Sequence, residues 1–332
     1  MNAPVTAEAL EQALAEASLP GRARPPRDLL VAADADTQLR NAVVEWAWIL
    51  VFWAGMALTP GWLWPLWALA VASRIHALGV ILHEVCHMPL RHKGPKVRLL
   101  ELLAGYPLAS TLEAMRYHHL RHHRDSCMAT DPYAKPDLRG RPGLLFLYWL
   151  RTLLILPAWV VRGFVGSVAR FVPPLRAPYA RALLQDRSGR RDLADDVEVI
   201  AAARAEIPQA CVHAGVIALA VVAPGPVVLG YVLPGLVASL LCGWRLLQEH
   251  SYQRVDDRRL ESILTSTRDH NTDLPGRLLF APRNIGYHVV HHLHPQVAKE
   301  ALPALASWYK ATYPTHYPPQ RPFWPWQGAR AV

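Results

Sequence analysis

Two long stretches of this chain, residues 46–73 and residues 207–244, contain no charged residue, and each is broken by a turn signal. The first holds Thr59-Pro60-Gly61 and the second Pro224-Gly225-Pro226. A membrane-crossing helix needs about 20 predominantly apolar residues, so each stretch is too long for one crossing and reads as a helical hairpin. The halves are short for a full span, but the second helix of the first hairpin can run on past Arg74 through residues 75–82. Trp46, Trp48, Trp53, Trp62, Trp64 and Trp67 suit an interfacial belt. Both turns are uncharged, which puts every Lys and Arg on the opposite side together with both termini. The positive-inside rule makes that side the cytoplasm. The expected fold class is all-α integral membrane: four transmembrane helices in two hairpins, interfacial helices, and a cytoplasmic helical cap.

The remaining segments fill in this outline. Residues 1–42 form a cytoplasmic N-terminal segment, read as a short amphipathic helix and linker without the order of a signal peptide. Residues 43–300 form the membrane domain, with hairpins at about 43–82 and 207–247 and a solvated cytoplasmic insertion at about 165–206. Residues 301–332 are a cytoplasmic C-terminal tail. Two further apolar stretches, residues 99–115 and 144–164, carry charges and are expected to lie in the interface or to re-enter it. The net charge of +9 fits an anionic membrane face, the inner membrane of a cell; no nucleic-acid motif accompanies it. The four cysteines show no paired spacing and imply neither a disulfide framework nor a thiolate metal site.

Eleven of the 16 histidines fall in four short clusters on the cytoplasmic side. These are His83-Glu84-Val85-Cys86-His87, then His118-His119-Leu120-Arg121-His122-His123, then a single His250 after Glu249, then His288 to His294 with His291 and His292 between. Residues three and four apart share one helix face, so each multi-histidine cluster can aim two or three imidazoles at one point. Neutral imidazole binds iron, copper and zinc, and this many convergent rings imply more than one metal ion. One of His118 and His119 is surplus to a single face. His250 ends the second hairpin where the other clusters gather and is taken as a ligand. His294 precedes Pro295 and is read as a cap. His76, His92, His213, His270 and His316 are unclustered and read as structural.

His83-Glu84-x-x-His87 also matches the HExxH of zinc proteases, in which the glutamate is general base. That reading uses one cluster and leaves two HxxHH clusters unexplained. A metal transporter would place ligands within its spans, yet the charge-free stretches contain one histidine, His213. In the remaining reading Glu84, Glu249 and Asp125 are carboxylates that fix imidazole tautomers from outside.

The chain resembles the membrane fatty acid desaturases, a superfamily that also holds acyl hydroxylases and carotenoid ketolases. The resemblance rests on HxxxH at His83–His87, HxxHH at His119–His123, HxxHH at His288–His292, the phrase Glu249-His250, and Asp131-Pro132. It implies two iron ions held by His83, His87, His119, His122, His123, His250, His288, His291 and His292, with His119 favoured over His118. It implies dioxygen as co-substrate and removal of hydrogen from an unactivated methylene of a lipid or acyl chain. An alkene or an alcohol can follow, according to how the second hydrogen is positioned, so a hydroxylase or ketolase is the alternative. The chain shows no haem-attachment, iron–sulfur or dinucleotide motif, so electrons must come from outside, from a ferredoxin-like or other external donor.

Overall fold

In the computed structural model the described residues are 23–89 and 93–323. The expected N-terminal amphipathic helix and His92 fall largely or wholly outside them. All regular elements among these residues are helical, with only isolated β-bridges. Five helices are long and apolar enough to cross a membrane.

The first hairpin joins α1 (Ala35–Leu58) to α2 (Trp64–His87). Asp34 caps α1 by accepting the Thr37 N–H at 2.9 Å, so the helix begins earlier than the charge gap suggested. Thr59-Pro60 ends it, because the residue before proline disfavours helical backbone. Trp67 then donates to Thr59 Oγ1 at 2.8 Å and Trp64 to the Met56 carbonyl at 3.0 Å, fastening the turn. The two helices also cross the charges that bound the apolar stretch. Glu45 of α1 is buried between Arg74 of α2 at 3.2 Å and Arg283 at 2.7 Å. α2 therefore continues without a break to His83 and His87.

Residues 99–115 do not make one straight helix. α3 (Pro95–Leu100) leads through a π-helical turn to a reversal at Ala109, whose φ of 54° is left-handed, and α4 (Leu112–Asp125) returns. The two glutamates that interrupt this apolar stretch hold the reversal: Lys93 pairs with Glu101 at 2.7 Å and with Glu113 at 2.5 Å, and Glu101 accepts the Leu112 N–H at 2.7 Å.

α5 (Pro142–Phe171) is the fifth apolar helix, one more than the four expected spans. It continues through a 3-10 turn at Thr152–Leu154. Its start packs with Leu247 and its end with Tyr117, each a few residues from a site histidine. The charged segment after it is less solvated than its composition implied. α6 (Arg176–Ala182) buries Tyr179 and Ala180, and α7 (Val197–Val222) begins ten residues before the expected hairpin start at 207. The reason is an ion pair: Arg162 of α5 and Glu206 of α7, both fully buried, meet at 2.8 Å, so a charge that marked the end of an apolar stretch lies inside the bundle. α7 and α8 (Pro224–Gln248) form the second hairpin.

Four shorter helices follow α8: α9 (Leu260–Ser266), α10 (Leu274–Leu279), α11 (His288–Leu293) and α12 (Leu302–Thr312). Residues 301–323 are not a loose tail. Leu302, Leu305 and Tyr309 of α12 pack with Val289, Val290 and Leu293 of α11 in one buried cluster.

Candidate metal centre

Four elements deliver the clustered histidines to one place. His83 and His87 lie on the last turns of α2, one turn apart. His119, His122 and His123 share a face of α4. His250 follows α8, where its backbone bridges to Thr267. His288, His291 and His292 lie on α11, whose first turn is anchored by Asp269: its carboxylate accepts the Val289 N–H at 3.1 Å and the Tyr317 hydroxyl at 2.7 Å. Gly286, just before α11, is required because a Cβ there would collide with the His270 carbonyl.

The nine imidazoles separate into two groups. His83, His87, His119, His123 and His291 form one; His122, His250, His288 and His292 form the other; within each, the ligand nitrogens lie within 4.8 Å of one another. All nine are at most 7 % exposed. In the first group His119 Nε2 stands 3.0 Å from both His87 Nε2 and His123 Nε2. In the second, His250 Nε2 stands 3.1 Å from His122 Nε2 and 3.2 Å from His288 Nε2. A metal–imidazole bond of about 2.1 Å with neighbouring ligands at right angles puts their nitrogens about 3.0 Å apart. The observed spacing matches. Both ring nitrogens of His291 in the first group, and Nε2 of His292 in the second, have no hydrogen-bond partner. Buried polar atoms are rarely left so, and an ion at each focus would satisfy the site. The residues present fit two metal ions.

Electrostatics keep the donors in the binding form. Burial first, then neighbouring imidazoles and cations, pushes His119, His123, His250, His288, His291 and His292 well below the ordinary histidine value of 6.5. They are neutral at physiological pH, as metal ligation needs.

The outer contacts differ from expectation. Glu84 does not orient a ring: its Oε1 accepts the Lys299 N–H at 2.9 Å and ties down the segment after α11. The general base of a zinc protease is thus turned to a structural task. Asp125 pairs with its neighbour Arg124 at 2.7 Å. Glu249 does face His288, with Oε1 3.6 Å from Nδ1, and is paired with Arg245 at 3.0 Å. The carboxylate in direct contact is Asp131, which accepts the His122 Nδ1–H at 2.8 Å and leaves Nε2 facing His250 and His288. Burial opposes ionisation of Asp131, but His122 and the Cys127 and Tyr133 N–H groups outweigh it and hold the carboxyl below its usual range. The sequence offered only the phrase Asp131-Pro132 as a signal; Asp269 had none. His118 lies outside both groups and accepts from the Tyr133 hydroxyl at 2.5 Å, and His294 meets the Tyr309 hydroxyl at 2.8 Å. Unclustered His213 sits between Gln209 and the Tyr231 hydroxyl, each 2.9 Å away.

A cavity of about 580 Å³ reaches the histidines from between α2, α4, α5 and α8, with His83, His119, His122 and His288 in its wall. Its other walls include Gly79, Leu108, Trp159 and Ala238. That volume is in the range of about 300–1,000 Å³ for small-molecule sites. The sequence matches the family model described as fatty acid desaturase over residues 60–324. The chain belongs to the fatty acid desaturase family. No curated protein matches it. This desaturase-family protein is therefore an oxidoreductase and a membrane protein, with five apolar helices and buried histidine groups that suit a di-metal centre.

Proposed function

We propose that the protein uses two iron ions and dioxygen to introduce a double bond into the acyl chain of a fatty acid or lipid. The observation that carries this reading is the pair of buried all-histidine groups at the wall of an apolar cavity. His83, His87, His119, His123 and His291 would hold one ion, and His122, His250, His288 and His292 the other. Neutral ligands leave bound iron much of its positive charge, and with dioxygen such a centre supplies the oxidising power to take hydrogen from an unactivated methylene.

The chain's own residues supply geometry. Asp131 fixes the His122 tautomer by taking its Nδ1 proton, and Glu249 stands ready to do the same for His288. α12 and the Tyr317 contact to Asp269 seal the cytoplasmic side of α11 and exclude water. The cavity walls hold the chain so that one methylene faces the histidines, and the position of its second hydrogen sets desaturation against hydroxylation. Electrons come from a ferredoxin-like or other external donor.

The proposed topology has four spans, α1, α2, α7 and α8, with the histidines and both termini on the cytoplasmic side of the cell inner membrane. α5 rises about 1.5 Å per residue along its axis, enough to cross. Its two ends nevertheless pack near Leu247 and Tyr117, both beside site histidines, which favours a helix that dips and lies along the bundle.

Metal analysis of purified protein tests the centre: about two irons per chain are expected, and a single zinc overturns it. Lipid profiling of cells expressing the protein tests the reaction. New double bonds support desaturation, whereas new hydroxyls or altered pigments replace it with the alternative.

A further inference from the structure

The histidines have a second approach, apart from the apolar cavity. A small pocket of about 40 Å³ has His122 and His250 in its wall, together with Asp131 and Ser251. Both histidines belong to the second group. The pocket adjoins a larger cleft of about 460 Å³, and the two share Lys135, Tyr252, Gln253 and Arg254 as a neck. The rim of the cleft includes Pro136, Asp137 and Arg139, all exposed. No residue of α11 or α12 lines either space, so the approach lies outside the seal that α12 makes over α11.

A partition keeps pocket and cavity apart. Tyr133, Ala134 and Lys135 border both, and His122 is reached from both. The partition is held at each end: Asp131 accepts the Tyr133 N–H at 2.8 Å, and Lys135 donates to the Leu246 carbonyl of α8 at 3.0 Å. The two sides differ in character. The cavity presents Leu108, Trp159 and Ala238, whereas the pocket presents a carboxylate and a hydroxyl. That hydroxyl, Ser251 Oγ, is buried and has no hydrogen-bond partner. A water takes up about 30 Å³ of liquid, so the pocket holds about one, and a water is what an unpaired buried hydroxyl calls for. A crevice of this size is ordinarily surface irregularity. This one ends on two candidate metal ligands.

The balance of desaturation needs such an approach. Two C–H bonds break and a second C–C bond forms. Dioxygen takes up those two hydrogens with their electrons, two more electrons from the external donor and two protons from solvent, and leaves as two waters. An acyl chain that fills the cavity closes that side to water. We propose that the cleft and pocket form a water port, which passes protons to the His122 and His250 side of the centre and lets product water out while the chain stays in place. This inference rests on the proposed lipid-oxidising function.

Two native cysteines report on the two sides: Cys127 lines the pocket and Cys242 lines the cavity. The metal-free full-length protein in detergent is treated with methyl methanethiosulfonate, and each cysteine is followed by peptide mass spectrometry. Both should react, and stearate in the cavity should protect Cys242 but not Cys127. Gln253 is exposed at the neck, so Gln253→Trp should narrow it and slow Cys127 about tenfold while Cys242 keeps its rate. Arg254→Trp serves if that variant folds poorly, and buried Cys86 staying unmodified marks an intact fold. Gln253→Ala should behave as the parent. In the iron-loaded protein the tryptophan variant should also desaturate about tenfold more slowly, with KM for the acyl substrate unchanged and a larger rate effect of D2O. An unreactive Cys127, protection of Cys127 together with Cys242, or full turnover in a variant whose Cys127 is shielded overturns the port. The thiol readout needs no iron, so it stands apart from the function: an iron-loaded parent that oxidises no lipid sinks the function, whatever the cysteines show.

Discussion

Replacing Asp131 with Asn probes how far one carboxylate organises half of the centre. Three N–H groups converge on Asp131, each at 2.8 Å: His122 Nδ1 and Tyr133 on Oδ1, and Cys127 on Oδ2. Hydrogen bonds to a charged group contribute about 1.5–3 kcal/mol each. Asp131→Ala loses all three, a sum comparable with a total stability of about 5–15 kcal/mol, so it is expected to fold poorly and to be uninformative. Asn keeps one acceptor oxygen and the shape but loses the charge, and its amide must face one of the three donors. The expected result is a folded protein whose second metal group, the one containing His122, binds about 10–100-fold more weakly. That corresponds to about 1.4–2.8 kcal/mol. Chelator competition on the purified variant should release one ion well before the other, where the parent releases both late. If both ions were retained with parental affinity, the reasoning that assigns Asp131 to the His122 tautomer would be refuted.

Other consequences are as concrete. Arg162→Met should leave Glu206 buried with no cation beside it, only the Tyr179 hydroxyl, and cost about 3–5 kcal/mol, whereas adding Glu206→Leu should restore much of the melting temperature in detergent; equal melting of the two variants would contradict the pairing. Gly79 lines the cavity, and a Cβ there would lie 3.5 Å from Leu108, an ordinary contact. Gly79→Leu thus adds carbons that enter the cavity, and each displaced methylene should weaken long-chain binding about fourfold, from about 0.8 kcal/mol apiece, with iron content unchanged; an unaltered chain-length profile counts against this. The metal-free protein should lose stability in acid. His270 is pushed down to about 3 by burial first, and the exposed unfolded chain titrates near 6.5. A depressed folded value means the unfolded state binds more protons below 6.5, so stability is full above that pH and falls as the pH drops towards the folded value. Melting scans of the chelated protein from about pH 7 to pH 4 should show it, and a flat profile would exclude it.

Local rules made several features legible. Charge-free stretches with a central proline gave hairpins, because helices and turns are short-range structures. The spacing of His119, His122 and His123, or of His288, His291 and His292, gave shared helix faces for the same reason. Charge misled where it was neutralised at a distance. Glu45, Arg74 and Glu206 looked like helix boundaries, but Glu45 pairs with Arg74 and Arg283, Glu206 pairs with Arg162, and the helices run through. Glu101 and Glu113 looked like blemishes in an apolar helix, and Lys93 makes them the fastening of a reversal. Glu84 stood in the most familiar-looking motif and serves a backbone N–H instead.

By itself, then, the sequence supplied clusters of imidazoles at helical spacing and apolar stretches that turn at a central proline, since both follow from the order of residues along a helix. Only the tertiary structure decided how nine of those imidazoles divide. His122 and His123 are neighbours in the chain and belong to different groups, as do His291 and His292. Adjacent helical residues point about 100° apart, so each looks across to a different partner element. Which element waits there is set by packing between segments far apart in the chain, and no local pattern encodes it.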